Sequence, residues 1–306
     1  MKLPSILPMA LLCFAVVALA AATPMVLLNW VSPRAPILVR VQGEQTVQFP
    51  DGTIRYQNRG EGTEAVVLLH GFNGQLGDWN KVWDQIESCG RVVRLDIPGF
   101  GGSTWHTEDF ALPAQAHRIV ALLDTLGIDR VTLVGTSMGG SLAAWIASEH
   151  PARVKNVLLL APSAYPDSLH YRGLFGLLVK PGWANRIGKR IARTRLYAAI
   201  FPASRVLQAT SVTASYGSPW ARALQKISSP VLLIWSRGDT SFPAASKVAA
   251  HIRDSRLLPV AVDAGHLLPD TRPELAAVAT CQLASGFTLQ EIHDRVRPML
   301  VSAGDQ

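Results

Sequence analysis

The sequence is poor in cysteine and in charged residues. Its three cysteines, Cys13, Cys89 and Cys281, match neither a metal-binding spacing nor a dense disulfide framework. Charged residues make up 17% of the 306 residues and hydrophobic residues 48%, which excludes an intrinsically disordered chain. The length is sufficient for one domain with a large core. We therefore expect the cysteines to be ordinary small apolar residues of that core.

The N-terminal region lacks charge altogether from Ile6 to Val31. An apolar span of about 20 residues is long enough to cross a bilayer, and Trp30 suits the membrane interface. We predict an uncleaved transmembrane helix, with residues 1–36 forming the anchor and linker. A signal peptide cleaved after Ala20 or Ala22 and a buried core helix are the alternatives. The flanking charges barely define orientation, and an extracytoplasmic domain is the preferred expectation.

After the linker, apolar strand-like runs alternate with helical patterns, which predicts a mostly parallel, doubly wound α/β sheet. An Asp51-Gly52 turn predicts a hairpin ahead of it. The predicted strands are Ala65–Leu69, Val92–Leu95, Val131–Val134, Val154–Leu160, Val231–Trp235 and Arg256–Val262. The predicted helices are Trp79–Ser88, Pro113–Leu126, Met138–Glu149, Phe242–Ile252 and one starting at Pro273. The alternation fails only within 162–229, so residues 37–161 and 230–306 form the core and 162–229 an insertion.

A Gly-x-Ser-x-Gly motif, Gly135-Thr136-Ser137-Met138-Gly139, lies between a predicted strand and a predicted helix. In that context the serine occupies a strained turn, and Gly135 and Gly139 let neighbouring backbone approach closely. The turn also places Ser137 at a helix N-terminus, which favours a developing negative charge. The sequence therefore predicts Ser137 as a nucleophile.

A second part of this site is expected at the end of an earlier strand, where His70-Gly71-Phe72 follows Val66–Leu69. The backbone N–H groups of Phe72 and Met138 are the expected donors of an oxyanion hole. We expect His70 to brace this loop rather than to act as a base.

The acid and the base should follow the serine in chain order. Asp239 follows the predicted strand Val231–Trp235, and His266 follows the last strand. His266 would accept the Ser137 proton, and Asp239 would orient the imidazole ring. Asp263 and, more distantly, Asp167 are the competing acids.

The chain resembles the α/β-hydrolase superfamily in the branch that holds lipases, esterases, cofactor-free haloperoxidases and C–C bond hydrolases. Besides the residues above, the segment from Asp96 to Ser103 matches that branch's Asp-x-Pro-Gly-x-Gly-x-Ser loop, which is structural in the family. Thr136 departs from the His, Asn or Gln often found beside the serine. The resemblance implies that 162–229 is a helical lid. It also implies that Cys89 and Cys281 lie on one side of the sheet, where an oxidising compartment could pair them.

The insertion holds ten Lys or Arg residues and one acid, Asp167, so the net charge of +7 of the chain resides there. Within it, Trp183, Ile187 and Ile191 recur every four residues with basic residues between them. Such a helix fits an anionic membrane surface, and equally an ordinary lid whose charges are solvated. No basic-aromatic recognition motif accompanies the charge, so nucleic acid is not an expected partner.

These observations predict a membrane-associated serine hydrolase that cleaves acyl esters, with lipid-derived esters such as monoacylglycerols among its substrates. The mechanism requires no metal and no organic cofactor. The alternatives are a C–C bond hydrolase or haloperoxidase-like enzyme on the same three residues, and a catalytically silent membrane scaffold.

Overall fold

The structure is a computed structural model that describes residues 37–106, 109–163, 211–239, 248–252 and 256–300, with the single residues Arg186, Arg190 and Gln208. The N-terminal segment and most of the insertion, including Asp167, lie outside these residues, as does most of the predicted helix Phe242–Ile252. Within the described part of the chain, none of the helices has the length and hydrophobicity needed to span a membrane.

One sheet runs through the described residues, and its strands follow the predicted apolar runs closely. They are β1 Glu44–Phe49, β2 Gly52–Arg59, β3 Glu64–Leu69, β4 Val92–Leu95, β5 Thr104–Trp105, β6 Arg130–Thr136, β7 Val154–Leu160, β8 Val231–Ser236 and β9 Leu257–Val262. Their order is β1-β2-β4-β3-β6-β7-β8-β9, with β5 paired to β2. Along this order, the neighbouring strands β4-β3-β6-β7-β8-β9 pair in parallel. The pairs that β2 makes with β1, β4 and β5 are antiparallel.

Helices cover both faces of the sheet. The longer ones are α1 Leu112–Thr125, α2 Met138–Glu149, α3 Ser218–Lys226, α4 Pro273–Ala284 and α5 Leu289–Val296. Short helical turns occur at Leu76–Trp79, Asn80–Trp83, Asp84–Cys89, Pro151–Arg153, Leu268–Thr271 and Arg297–Met299. Alternate residues of β3 enter opposite cores: Val67 and Leu69 face α1 to α3, and Val66 and Leu68 face α4 and α5. This explains why the central strands are apolar throughout.

Three local predictions needed correction. The hairpin exists, but Phe49 pairs with Gly52, so its two turn residues are Pro50 and Asp51 and Gly52 begins β2. The predicted helix Trp79–Ser88 is instead a series of short turns with non-helical backbone at Ile86, and Trp79 and Trp83 are both buried. The last helical region is divided into α4 and α5.

The expectation that Cys89 and Cys281 are unpaired was wrong, because the structure joins them in a disulfide. Cys89 ends the turn Asp84–Cys89, and Cys281 lies in α4 on the same face of the sheet. Their Cα atoms are 4.8 Å apart although 192 positions separate them in the sequence. Packing of α4 against the Asp84–Cys89 turn brings the two thiols together, which no local pattern in the sequence encodes.

Candidate active site

Ser137 lies in the sharp turn between β6 and α2. Its backbone dihedrals are φ 53° and ψ −120°, which an L-residue adopts only when the surrounding structure enforces them. A methyl group on Gly135 would collide with the backbone of Gly139, and one on Gly139 would collide with the carbonyls of Leu69 and His70. The two glycines therefore allow α2 to begin directly behind the serine and beside the end of β3.

His70 fixes the orientation of the loop that follows β3. Its ring is fully buried, and Nε2 accepts a hydrogen bond from the Ile97 N–H at 2.9 Å. The neutral ring must then carry its proton on Nδ1, which donates to the Gly71 carbonyl at 2.7 Å. That carbonyl also accepts from the Gly74 N–H at 3.1 Å. Because a trans peptide is planar, the Phe72 N–H points away from His70.

The same loop lies directly against the serine. A methyl group placed on Gly71 would be 3.3 Å from Ser137 Cβ and 3.8 Å from its Oγ. Met138 is the first residue of α2, so its N–H is one of the donors that have no partner within the helix. The structure therefore places the Gly71–Phe72 loop against Ser137, and Met138, the other predicted oxyanion-hole position, follows that serine directly in the chain.

Asp239 and His266 meet beyond the ends of β8 and β9. The His266 Nδ1 lies 2.7 Å from Asp239 Oδ2, and Asp239 is buried. The competing acid Asp263 is half-exposed and forms a surface ion pair with Arg237 at 3.2 Å. Since a carboxylate can only accept, His266 donates from Nδ1 and keeps Nε2 as its basic nitrogen.

Ser236, the last residue of β8, joins the two loops that carry this pair and was missed in the sequence. Its Oγ donates to the Ala264 carbonyl and accepts from the N–H groups of Ala264 at 3.2 Å and Gly238 at 3.3 Å. This hydroxyl therefore fixes the separation between the Asp239 and His266 loops. The only feature of the sequence that could have indicated this role is the position of Ser236 at the end of a predicted strand.

The Asp96–Ser103 loop is held by a buried ion pair rather than by packing alone. Asp96 is fully buried, and its carboxylate contacts Arg55 at 2.9 Å and accepts from the N–H groups of Leu76 at 2.5 Å and Gly102 at 2.6 Å. Ser103 Oγ donates to the Asp96 carbonyl at 2.7 Å. The loop thus braces the segment that follows the Gly71–Phe72 turn, in agreement with the structural role that the resemblance implied.

Among the described residues, no cluster of three or more His, Cys, Asp or Glu side chains has the arrangement of a metal site. A parallel, doubly wound sheet with a strained serine between a strand and a helix, and an Asp–His pair beyond two later strands, defines the α/β-hydrolase class of fold. A protein-family model described as alpha/beta hydrolase fold matches residues 64–200. The chain therefore has the α/β-hydrolase fold, and its residues 64–200 match the family of that name.

Several characterised proteins match parts of the chain. A dihydrolipoyllysine-residue acetyltransferase component of the acetoin cleaving system from Cupriavidus necator is 36% identical over 38% of this chain and 31% of its own length. A 2-hydroxy-6-oxo-6-phenylhexa-2,4-dienoate hydrolase from Comamonas testosteroni is 38% identical over 37% of this chain and 41% of its own length. The Xenopus laevis monoacylglycerol lipase abhd6-A is 34% identical over 40% of this chain and 39% of its own length. The chain thus spans less than half the length of these relatives.

Solved structures share the fold over a longer range. The crystal structure of a membrane phospholipase A, described as a bacterial virulence factor, is 23% identical and covers 95% of this chain and 98% of its own, with a TM-score of 0.57.

Proposed function

We propose that this protein is a serine hydrolase that cleaves carboxylic esters through an acyl-enzyme. The observation that carries the proposal is the buried Asp239–His266 pair at the same edge of the sheet as the strained Ser137. A nucleophile, a buried acid and a base, in that order along the chain, match the requirements of acyl transfer.

In this mechanism His266 Nε2 removes the Ser137 proton as Oγ attacks the ester carbonyl. The N–H groups of Phe72 and Met138 donate to the oxyanion that forms, and the positive end of α2 adds to its stabilisation. His266 then protonates the leaving alcohol, and a water activated by the same nitrogen releases the acid. Asp239 holds the ring orientation and balances the transient imidazolium charge.

We also propose lipid-derived esters as the substrate class and the membrane as the site of action. The uncharged run from Ile6 to Val31 and the basic insertion support this. In the central part of the insertion the structure describes two basic residues, Arg186 and Arg190, and both are exposed. The Xenopus relative is named a monoacylglycerol lipase, which supports an acyl substrate of that type.

The disulfide supports an extracytoplasmic location for this domain. Disulfides persist in oxidising compartments and are rare where glutathione and thioredoxin keep thiols reduced. Cys89 and Cys281 are paired within the folded domain. We therefore propose that residues 37–306 lie outside the cytoplasm.

Labelling of the purified protein with a fluorophosphonate probe tests the nucleophile. We expect labelling and p-nitrophenyl ester hydrolysis by the wild type, and the loss of both in Ser137→Ala. Ser148→Ala is the matched control, because Ser148 is also a buried serine and lies near the far end of α2. A Ser137→Ala variant that retained labelling would refute the assignment.

Substrate class is tested with p-nitrophenyl esters of graded chain length, a monoacylglycerol and a 2-hydroxy-6-oxo-dienoate. The dienoate represents the reaction named for the Comamonas relative. We expect hydrolysis of the monoacylglycerol and of longer esters in preference to acetate. A preference for acetate would exclude the lipid substrate, and turnover of the dienoate alone would instead establish C–C bond hydrolysis.

A further inference from the structure

A compact group of hydrogen bonds lies directly behind the nucleophile turn. The carbonyl of Ser137 accepts from two backbone N–H groups, those of Ser141 and Ser163, each at 3.1 Å. Ser141 belongs to α2, so its bond is the ordinary first bond of a helix. Ser163 belongs to the turn after β7 and is buried, so its bond ties the serine backbone to a different part of the fold.

Two buried hydroxyl groups, those of Tyr216 and Ser141, hold Ser163 in this position. Ser163 Oγ lies 2.6 Å from the Tyr216 hydroxyl and 3.3 Å from Ser141 Oγ. Ser141 Oγ in turn donates to the Ser163 carbonyl. Each hydroxyl has one proton, and the proton of Ser141 is used on that carbonyl. The consistent direction is therefore from Tyr216 to Ser163, from Ser163 to Ser141, and back to the Ser163 backbone.

Tyr216 is suited to begin this chain of donors. Burial raises the pKa of its hydroxyl to about 12, while the hydrogen bonds with Ser163 and Ser141 act in the opposite direction. The hydroxyl is therefore protonated, and able to donate, at neutral pH.

The residues around Tyr216 fix it firmly to the core. The neighbouring Ser215 Oγ accepts from the Leu112 N–H at the start of α1 at 2.9 Å. The indole Nε1 of Trp220, in α3, donates to the Ser141 carbonyl at 3.3 Å. The last part of the insertion is thus attached to α1 and α2, which precede and follow the nucleophile turn in the chain.

We infer that Tyr216 is a positioning residue for Ser137: its hydroxyl holds Ser163, and the Ser163 N–H holds the Ser137 carbonyl. The inference rests on the proposed role of Ser137. A φ of 53° persists only under such restraint, and the restraint from Ser163 is one that α2 does not provide by itself. Misplacing a reacting group by a fraction of an ångström lowers the rate of the chemical step more than it lowers substrate binding.

The test compares Tyr216→Phe, Ser163→Ala and the double variant with the wild type in the full-length protein. Tyr56→Phe is the matched control, because Tyr56 is equally buried and its hydroxyl donates to Gln45 in the hairpin, away from the site. For Tyr216→Phe and Ser163→Ala we expect kcat for a p-nitrophenyl ester, and the rate of fluorophosphonate labelling, to fall about tenfold. KM should change less than twofold, and the pH profile of kcat should keep its midpoint because Asp239 and His266 are untouched.

The double variant should lose no more activity than the more affected single variant, since both substitutions interrupt one chain of hydrogen bonds. Tyr56→Phe should retain wild-type kcat. If Tyr216→Phe lowers the melting temperature so far that it is unfolded at the assay temperature, Ser163→Ala decides the question, because it removes only the serine hydroxyl and leaves Tyr216 itself unchanged.

The outcomes separate this inference from the proposed function. Wild-type protein that reacts with neither ester nor fluorophosphonate would overturn both. Reactive wild type with Tyr216→Phe and Ser163→Ala at wild-type kcat would overturn the positioning role alone. Equal losses in Tyr216→Phe and Tyr56→Phe, or a loss confined to KM, would also overturn it, because either would indicate a general effect on packing or binding.

Discussion

At the scale of single residues, burial distinguishes two aspartates that are nearly equivalent in the sequence. Asp239 and Asp263 both follow strands near His266, but Asp239 is 8% exposed and bonds to the imidazole. Asp263 is half-exposed and pairs with Arg237 at the surface. A buried carboxylate is the one that stabilises an imidazolium effectively, because water does not screen it.

We expect Asp239→Asn to lower kcat by roughly 10³- to 10⁴-fold, because an amide no longer holds the reactive tautomer of His266. Asp263→Asn is the matched control and should retain activity within about threefold, since it removes only a surface ion pair. Steady-state ester hydrolysis measures both. Similar losses in the two variants would contradict the assignment of Asp239.

At the scale of elements, the β1–β2 hairpin is tied to the site through one buried cation. Arg55 in β2 contacts the carboxylates of both Glu44 and Asp96, and Asp96 supports the segment that follows the Gly71–Phe72 turn by accepting from the Leu76 N–H. The hydrogen bond from Arg55 lowers the pKa of Glu44 to about 2, although desolvation opposes it. An antiparallel extension of the sheet thus contributes to the order of the site through charge.

The ion pair between Arg55 and Glu44 makes part of the free energy of unfolding dependent on pH. Because the folded-state pKa of Glu44 lies below its unfolded value, the stabilisation is complete above about pH 5 and is lost as the pH falls toward 2. We expect Glu44→Gln to melt below the wild type at pH 6, with a difference that shrinks as the pH is lowered. Thermal melts from pH 6 to pH 2 measure this difference. A difference that stays constant over that range would rule out the ion pair as its source.

At the scale of the whole molecule, the disulfide connects elements that are far apart in the chain. It joins the Asp84–Cys89 turn to α4 across 192 positions and closes a loop that contains most of the sheet. A cross-link over so long a loop restricts the unfolded chain strongly.

We expect Cys281→Ser to lower the free energy of unfolding by roughly 2–5 kcal/mol, as measured by urea denaturation. Dithiothreitol should destabilise the wild type by a similar amount and leave Cys281→Ser unchanged, which serves as the internal control. Wild-type protein insensitive to the reductant, with free thiols detected before treatment, would show that the bond does not form.

Local patterns in the sequence determined the strands, the order of elements and the positions of Ser137, Asp239 and His266. Parallel strands read as apolar runs because both of their faces are buried, and the Gly-x-Ser-x-Gly turn is specified by residues next to one another. Predicted bounds such as Val92–Leu95, Val154–Leu160 and Met138–Glu149 agree with the structure for this reason.

The tertiary structure alone decided which distant groups meet. The Cys89–Cys281 bond, the Ser236 hydroxyl bonded to Ala264 and the Tyr216–Ser163 contact behind Ser137 each join residues that 28 or more positions separate. None has a local signature, since a serine or tyrosine that donates one hydrogen bond is compatible with many neighbours. Their pairing depends on how helices pack on the two faces of the sheet, and that packing results from the whole chain rather than from any segment of it.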